Sequence, residues 1–170
     1  WVIERFSLQV RSILAILAVL LLIPPSGYAT AVWASRILDI DLVGARIAPL
    51  RDNSAYFLWP PKNGDFGPRI FAERALTDLP EGSILIADYT LWRPIYFVQT
   101  VEALRTDVDV QFVERLFGEG VDNWIARQPC ERRVFLATTT PPRYYQIDIL
   151  EARFDISQFQ SVYEIERNCR

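Results

Sequence analysis

Histidine and methionine are missing from this 170-residue sequence, and lysine occurs once, at Lys62. Without histidine there can be no Ser-His-Asp triad, no zinc site built on imidazole and no histidine pH switch. Without methionine the chain opens on Trp1, and we read it as an excerpt of a longer protein. Glycine is sparse, and its seven copies form neither a GxGxxG fingerprint nor a phosphate loop. An excess of positive charge is also lacking. There are 18 basic residues against 21 acidic, a net charge of −3, which offers nucleic acid no electrostatic footprint. Of the basic residues 17 are scattered arginines, a compositional bias and not a site. The carboxylate pairs Asp39/Asp41 and Asp107/Asp109 have no basic cluster beside them. They are expected to face solvent and not to hold calcium. No cofactor and no metal are expected.

What is present is a 51% hydrophobic content that is unevenly spread. No residue from Ser12 to Ser35 is charged, and Ile13 to Ile23 is an unbroken apolar run preceded by Arg5 and Arg11. Pro24-Pro25-Ser26-Gly27 is expected to end the helix, since proline lacks the amide donor and clashes with the preceding turn. Phe6 to Pro25 supplies the roughly 20 residues that a spanning helix needs, with Arg11 snorkelling to the interface. Three readings stand. The favoured one is the last transmembrane helix of a polytopic protein. The second is a secretory signal peptide cleaved near Ala29-Thr30-Ala31, and the third is the core helix of a soluble fold. The first two leave the basic flank in the cytoplasm and everything after Tyr28 outside. That predicts an integral membrane protein, of a bacterial inner membrane, with its soluble part on the extracytoplasmic side.

The organisation expected is a transmembrane helix with flanks over 1–27, an interfacial helix and irregular linker over 28–65, and an α/β domain over 66–170. Residues 28–38 read as a short interfacial helix with Tyr28 and Trp33 at headgroup depth. Residues 39–68 read as irregular, with Pro49, Asn53, Pro60-Pro61, Asn63-Gly64 and Gly67-Pro68. Beyond them a helix is predicted over Pro68–Leu76 and a doubly buried strand over Ser83–Ala87. Next come a helix over Pro94–Leu104, a strand over Val108–Val113, a helix over Val121–Arg127 and a strand over Arg133–Thr138. A helix opened by Pro141-Pro142 runs to about Leu150. Two closing strands lie at Phe154–Ile156 and Ser161–Glu166.

This order implies a small three-layer αβα, Rossmann-like domain with a mostly parallel sheet and an antiparallel C-terminal edge. Cys130 precedes the third strand and Cys169 follows the last. If those strands run antiparallel, a disulfide between them would close the C-terminus onto the sheet; two unpaired cysteines are the alternative.

The stretch from Pro94 to Val108, with Gln99, Glu102, Arg105 and Asp107, resembles a segment of the protein O-mannosyltransferase-like group of multispanning membrane proteins. Thr106 stands where that group usually has proline. Gly64–Leu76, Leu79–Gly82 and the preceding apolar helix fit the same layout, so the resemblance covers roughly residues 10–140. The turn after the first strand departs from it: the group is richer there in Asp and Asn, and only Asp88 can be placed. The resemblance implies a glycosyltransferase-like parent using a lipid-linked sugar donor, with its catalytic acids in membrane-domain loops upstream of Trp1. No catalytic residue is then expected in this fragment, whose partners would be the bilayer, the upstream membrane domain, and glycan or lipid-linked sugar.

Candidate ligand contacts are Asp88, Tyr89 and Trp92 at the carboxyl end of the first strand, where open parallel sheets bind ligands. A carboxylate beside aromatic faces suits a sugar. The plainer reading, which we favour, has Asp88 capping the next helix and Trp92 packing on its neighbour. Tyr56 and Trp59, with Pro60-Pro61, read as a contact with glycan, lipid headgroup or membrane domain, or as a loop folded over the sheet edge. Pro94, Gln99, Glu102, Arg105 and Asp107 are expected to be structural. Glu102 and Arg105 would form a helical surface pair, or Arg105 with Asp107 would fix the helix-to-strand turn. Rival functions are a membrane-anchored, non-enzymatic glycan- or protein-binding module and a free-standing secreted domain.

Overall fold

A computed structural model describes the backbone of residues 2–40, 48–140 and 142–167 and the side chains from residue 10 onward. The chain forms two compact units. One consists of the long N-terminal helix and the segment Asp52–Gly64; the other runs from Asp65 onward and takes in Ala48–Arg51.

The first unit is built on helix α1, Val2–Ile37, with Pro24 and Pro25 inside it. The break expected at Pro24–Gly27 does not occur, and the separate interfacial helix expected over 28–38 is the continuation of α1. Hydroxyls around the prolines serve the local carbonyls. Ser26 Oγ donates to the carbonyls of Leu22 and Ile23, both at 2.9 Å, and Thr30 Oγ1 donates to that of Ser26 at 2.8 Å. The stretch Val10–Ile37 is long and apolar enough to cross a membrane, and its apolar window is not buried at all. A core helix of a soluble fold would bury that face.

Where an irregular linker was expected, Asn53–Leu58 forms a short helix, α2. Asp52 starts it by accepting the Ala55 amide at 3.0 Å, and Arg36 of α1 pairs with the same carboxylate. Helix α2 packs against α1, where Val32 and Ser35 are buried.

The second unit contains α3 (Gly67–Asp78), β1 (Ile84–Ala87), α4 (Tyr89–Val101), β2 (Asp109–Phe112), a 3-10 turn (Val113–Leu116) and α5 (Val121–Ala126). It continues with β3 (Val134–Leu136), α6 (Pro142–Tyr145), α7 (Ile147–Glu151), β4 (Asp155–Phe159) and β5 (Val162–Glu166). The five strands form one mixed sheet in the order β2-β1-β3-β5-β4. Strand β1 is parallel to β2 and β3; β5 is antiparallel to β3 and β4. A parallel centre with an antiparallel C-terminal edge is the arrangement the sequence predicted.

Alternate residues of the central strands go to different clusters, as a two-residue period requires. Leu85, Ala87, Phe135 and Ala137 pack with Phe71, Ala75 and Leu76 of α3 and Leu91, Ile95 and Val98 of α4. Ile84, Ile86, Val134 and Leu136 pack with Val121 and Ile125, Tyr145 and Leu150. Each large side chain so buried contributes about 1.5–3 kcal/mol. At the entry to α3, a Cβ on Gly67 would sit 2.2 Å from the Leu50 carbonyl oxygen, so the backbones approach too closely for any other residue.

The bounds of two expected helices differ most, and the strand expected over Phe154–Ile156 runs Asp155–Phe159. Helix α4 starts five residues before Pro94, because Asp88 caps it and the proline, at its sixth position, removes only one amide from the ladder. It ends at Val101 and not Leu104, since Ala103 and Arg105 take left-handed φ values of 54° and 52°. The helix expected through Leu150 is split into α6 and α7 by Gln146, also left-handed at φ 53°; Pro141 lies outside the described residues.

Candidate functional site

Strand β1 lies between β2 and β3, so the chain crosses over it between β2 and β3, and the carboxyl end of β1 is a switch point of the kind where open sheets take ligands. Asp88 is the first residue beyond it and is only 2% exposed. Its Oδ1 accepts the Leu91 amide at 3.1 Å, and its own amide donates to the Tyr145 hydroxyl at 2.9 Å. The capping role favoured from the sequence is the one its geometry serves. Burial pushes the Asp88 carboxyl above its ordinary value; the Leu91 amide opposes this, and the charge of Glu114 adds to it. Tyr145 is wholly buried, and its phenol is pushed well up by that burial and then by the Asp88 charge. Glu114 accepts the Tyr89 amide on Oε1 at 3.4 Å, while its Oε2 is buried without a partner. This end of the sheet therefore holds helix and sheet together, with Asp88 buried as the cap and Glu114 half-buried near it.

The exposed chemistry lies one turn further on. Residues 89, 92, 93 and 96 share one face of α4. Tyr89 is 56% and Tyr96 46% exposed. Trp92 stacks on Tyr96 with centroids 4.7 Å apart and leans on Phe112 of β2 at 5.4 Å; Tyr89 reaches the same Phe112 at 6.2 Å. Arg93 lies 4.8 Å over the Tyr89 ring and donates to its hydroxyl at 3.2 Å. The result is a row of rings with phenolic and guanidinium donors at its edge. Tyr89 and Trp92 were candidates from the sequence; Tyr96, Arg93 and Phe112 were missed. Reading the helix from Asp88 instead of Pro94 would have put 89, 92, 93 and 96 at i, i+3, i+4 and i+7.

Gln99, Arg105 and Asp107 form a connected group around the C-terminal end of α4. Gln99 Nε2 donates to the carbonyls of Arg105 and Val108 at 2.9 and 2.7 Å. Arg105 grips Asp107 with two bonds of 2.8 Å and donates to the carbonyls of Leu76, Leu79 and Pro80 at 3.0, 2.7 and 3.1 Å. Asp107 also accepts the Gly82 amide at 3.1 Å, and the Arg105 guanidinium holds its carboxyl well below the usual range. Of the two pairings weighed, Arg105 with Asp107 forms. Glu102 instead pairs with Arg69 at 3.0 Å, because α4 ends before Arg105 and the chain turns away. Pro94 is inside α4.

Tyr56 and Trp59 belong to the α1–α2 unit. Cys130 is disulfide-bonded; Cys169, its expected partner, lies outside the described residues, as does Asp41. Asp109 pairs with Arg132 at 3.3 Å. Among the described residues no group of three or more acidic, cysteine or histidine side chains is placed to hold a metal.

No family model, curated protein or solved structure matches this chain.

Proposed function

We propose that this chain is the C-terminal, extracytoplasmic part of a multispanning glycosyltransferase-like membrane protein, and that it holds the acceptor glycan while the chemistry occurs elsewhere in the protein. In this reading α1 is the last span, anchored in a bacterial inner membrane. The second unit is a three-layer, Rossmann-like domain outside it, supported by the two clusters on either side of β1 and β3. Arg5 and Arg11 before the span support that orientation.

The observation that carries the acceptor role is the ring row in which exposed Tyr89 and Tyr96 flank the half-buried Trp92. Apolar faces of a sugar ring stack on aromatic faces, and hydroxyls at its rim find the Arg93 guanidinium and the phenols. Asp88 takes no part, because its carboxyl is committed to the helix. The test uses the full chain in lipid nanodiscs, titrated with mannose oligosaccharides and a lipid-linked sugar while tryptophan emission is followed. A saturable change that Tyr96→Ala and Tyr89→Ala abolish is expected. No response to either sugar overturns the acceptor role.

A second reading, supported by the same ring row, is a membrane-anchored module that binds glycan or protein without belonging to an enzyme. The sequence preceding Trp1 separates them: many hydrophobic spans support the first, and a short basic start the second or a secreted domain.

A further inference from the structure

We propose that the corner formed by the end of α1 and helix α2 is a lipid-interface site that seats Tyr56, Phe57 and Trp59 in the phospholipid headgroup layer. This rests on the reading of α1 as a membrane span and adds a second contact with the bilayer. The argument begins with length. A helix rises 1.5 Å per residue, and a hydrocarbon core of about 30 Å takes about 20 residues. Counted from Ser12, the first position after Arg11, that thickness ends near Ala31. Helix α1 runs on to Ile37, so its last turns pass through the headgroup zone, and α2 packs against those turns.

The side chains there have the chemistry of that depth. Trp33 is 63% exposed, and Phe57 on α2 is exposed as well. Ala29, Val32, Trp33 and Arg36 of α1 and Ala55 and Trp59 of the α2 segment line a mostly apolar groove. Lys62 donates to the Tyr56 and Trp59 carbonyls and lies 4.8 Å from the Tyr56 ring. Aromatic rings continuous with the exposed apolar surface of α1 match a phospholipid interface, where rings sit at headgroup level; the two cations of the corner are held within it, Arg36 by Asp52 and Lys62 by the two carbonyls. The two prolines after Trp59 add no amide donors to be satisfied there.

The test places a fluorophore on a single introduced cysteine in the full chain, without reductant, in phosphatidylcholine vesicles carrying shallow or deep spin-labelled lipid. Leu20→Cys reports the span, Phe57→Cys the corner, and Asp148→Cys the sheet unit. The expected result is loss of emission at Phe57→Cys with the shallow quencher and little with the deep one, at Leu20→Cys mainly with the deep one, and at Asp148→Cys with neither. Deep quenching at Leu20→Cys with none at Phe57→Cys overturns the corner and leaves the span standing. No quenching at Leu20→Cys overturns the span and the corner together.

Discussion

Ile13–Ile23 and Ile84–Ala87 are made of the same kinds of residue and end in opposite surroundings. The large side chains of the first stand 49–74% exposed along α1, while all four residues of the second are fully buried. Hydrophobicity alone does not decide between them; geometry and length do. A helix points eleven apolar residues all round its axis, over about 16 Å, and no single packed layer can cover them. A four-residue strand presents two side chains to each face, and each face has its own cover. The first run is long and apolar enough to cross a membrane, whereas the second makes its apolar surroundings for itself.

Substitutions test this contrast. The largest effect is expected from Phe135→Ala in β3, where lost burial and the cavity left behind cost about 3–5 kcal/mol. Denaturant unfolding of the full chain in mild detergent should show the sheet transition shifted by that amount, while Leu20→Ala in α1 leaves it where it was. Next is Leu20→Arg, a charge near the middle of the span, worth about 2.5–3.5 kcal/mol against insertion. The protein should leave the membrane fraction with its sheet transition unchanged; undiminished membrane recovery would show that α1 is not in lipid.

Arg105→Ala should cost about 1.5–3 kcal/mol in the same unfolding assay, since several backbone carbonyls and Asp107 lose a charged donor at once. Arg105→Lys should not restore it, because a point charge cannot replace the planar fork. Asp88→Ala removes a helix cap and should cost about 1 kcal/mol, with Asp88→Asn close to the parent. The smallest effects are in pH. Asp107, whose carboxyl is lowered in the fold, stabilises above the ordinary carboxylate value near about 3.9, and that contribution disappears as pH falls through its folded value. Asp88 is raised, so its contribution is complete below the ordinary value and is lost as pH rises through the folded one. Stability measured against pH should lose its acid fall in Asp107→Asn and its decline above the ordinary carboxylate value in Asp88→Asn.

The strands could be read from the sequence because short apolar runs between turn residues leave little choice, as in Ser83–Ala87. The end of α1 and the start of α4 could not, because proline was given too much weight, whereas α3 and α5 fall within two residues of expectation. Pro94 fits within the second turn of α4, where only one amide is missed, and Pro24-Pro25 lies inside α1 without ending it. Helix α2 went unseen since its stability depends on α1 and on the Asp52 cap, neither of which shows as periodicity. The Arg105 group was half legible: its pairing with Asp107 is local, but its grip on Leu76, Leu79 and Pro80 spans 25 to 29 positions. The ring row was missed for the same reason as the start of α4.

The proline pair of α1 has one more consequence. Residues 24 and 25 have no amide hydrogen to offer the carbonyls of Leu20 and Leu21, and the Ser26 hydroxyl is already given to those of Leu22 and Ile23. The backbone ladder of α1 is thus thinnest at Leu20 and Leu21, inside the longest apolar run of the chain, where side chains offer no donor in exchange.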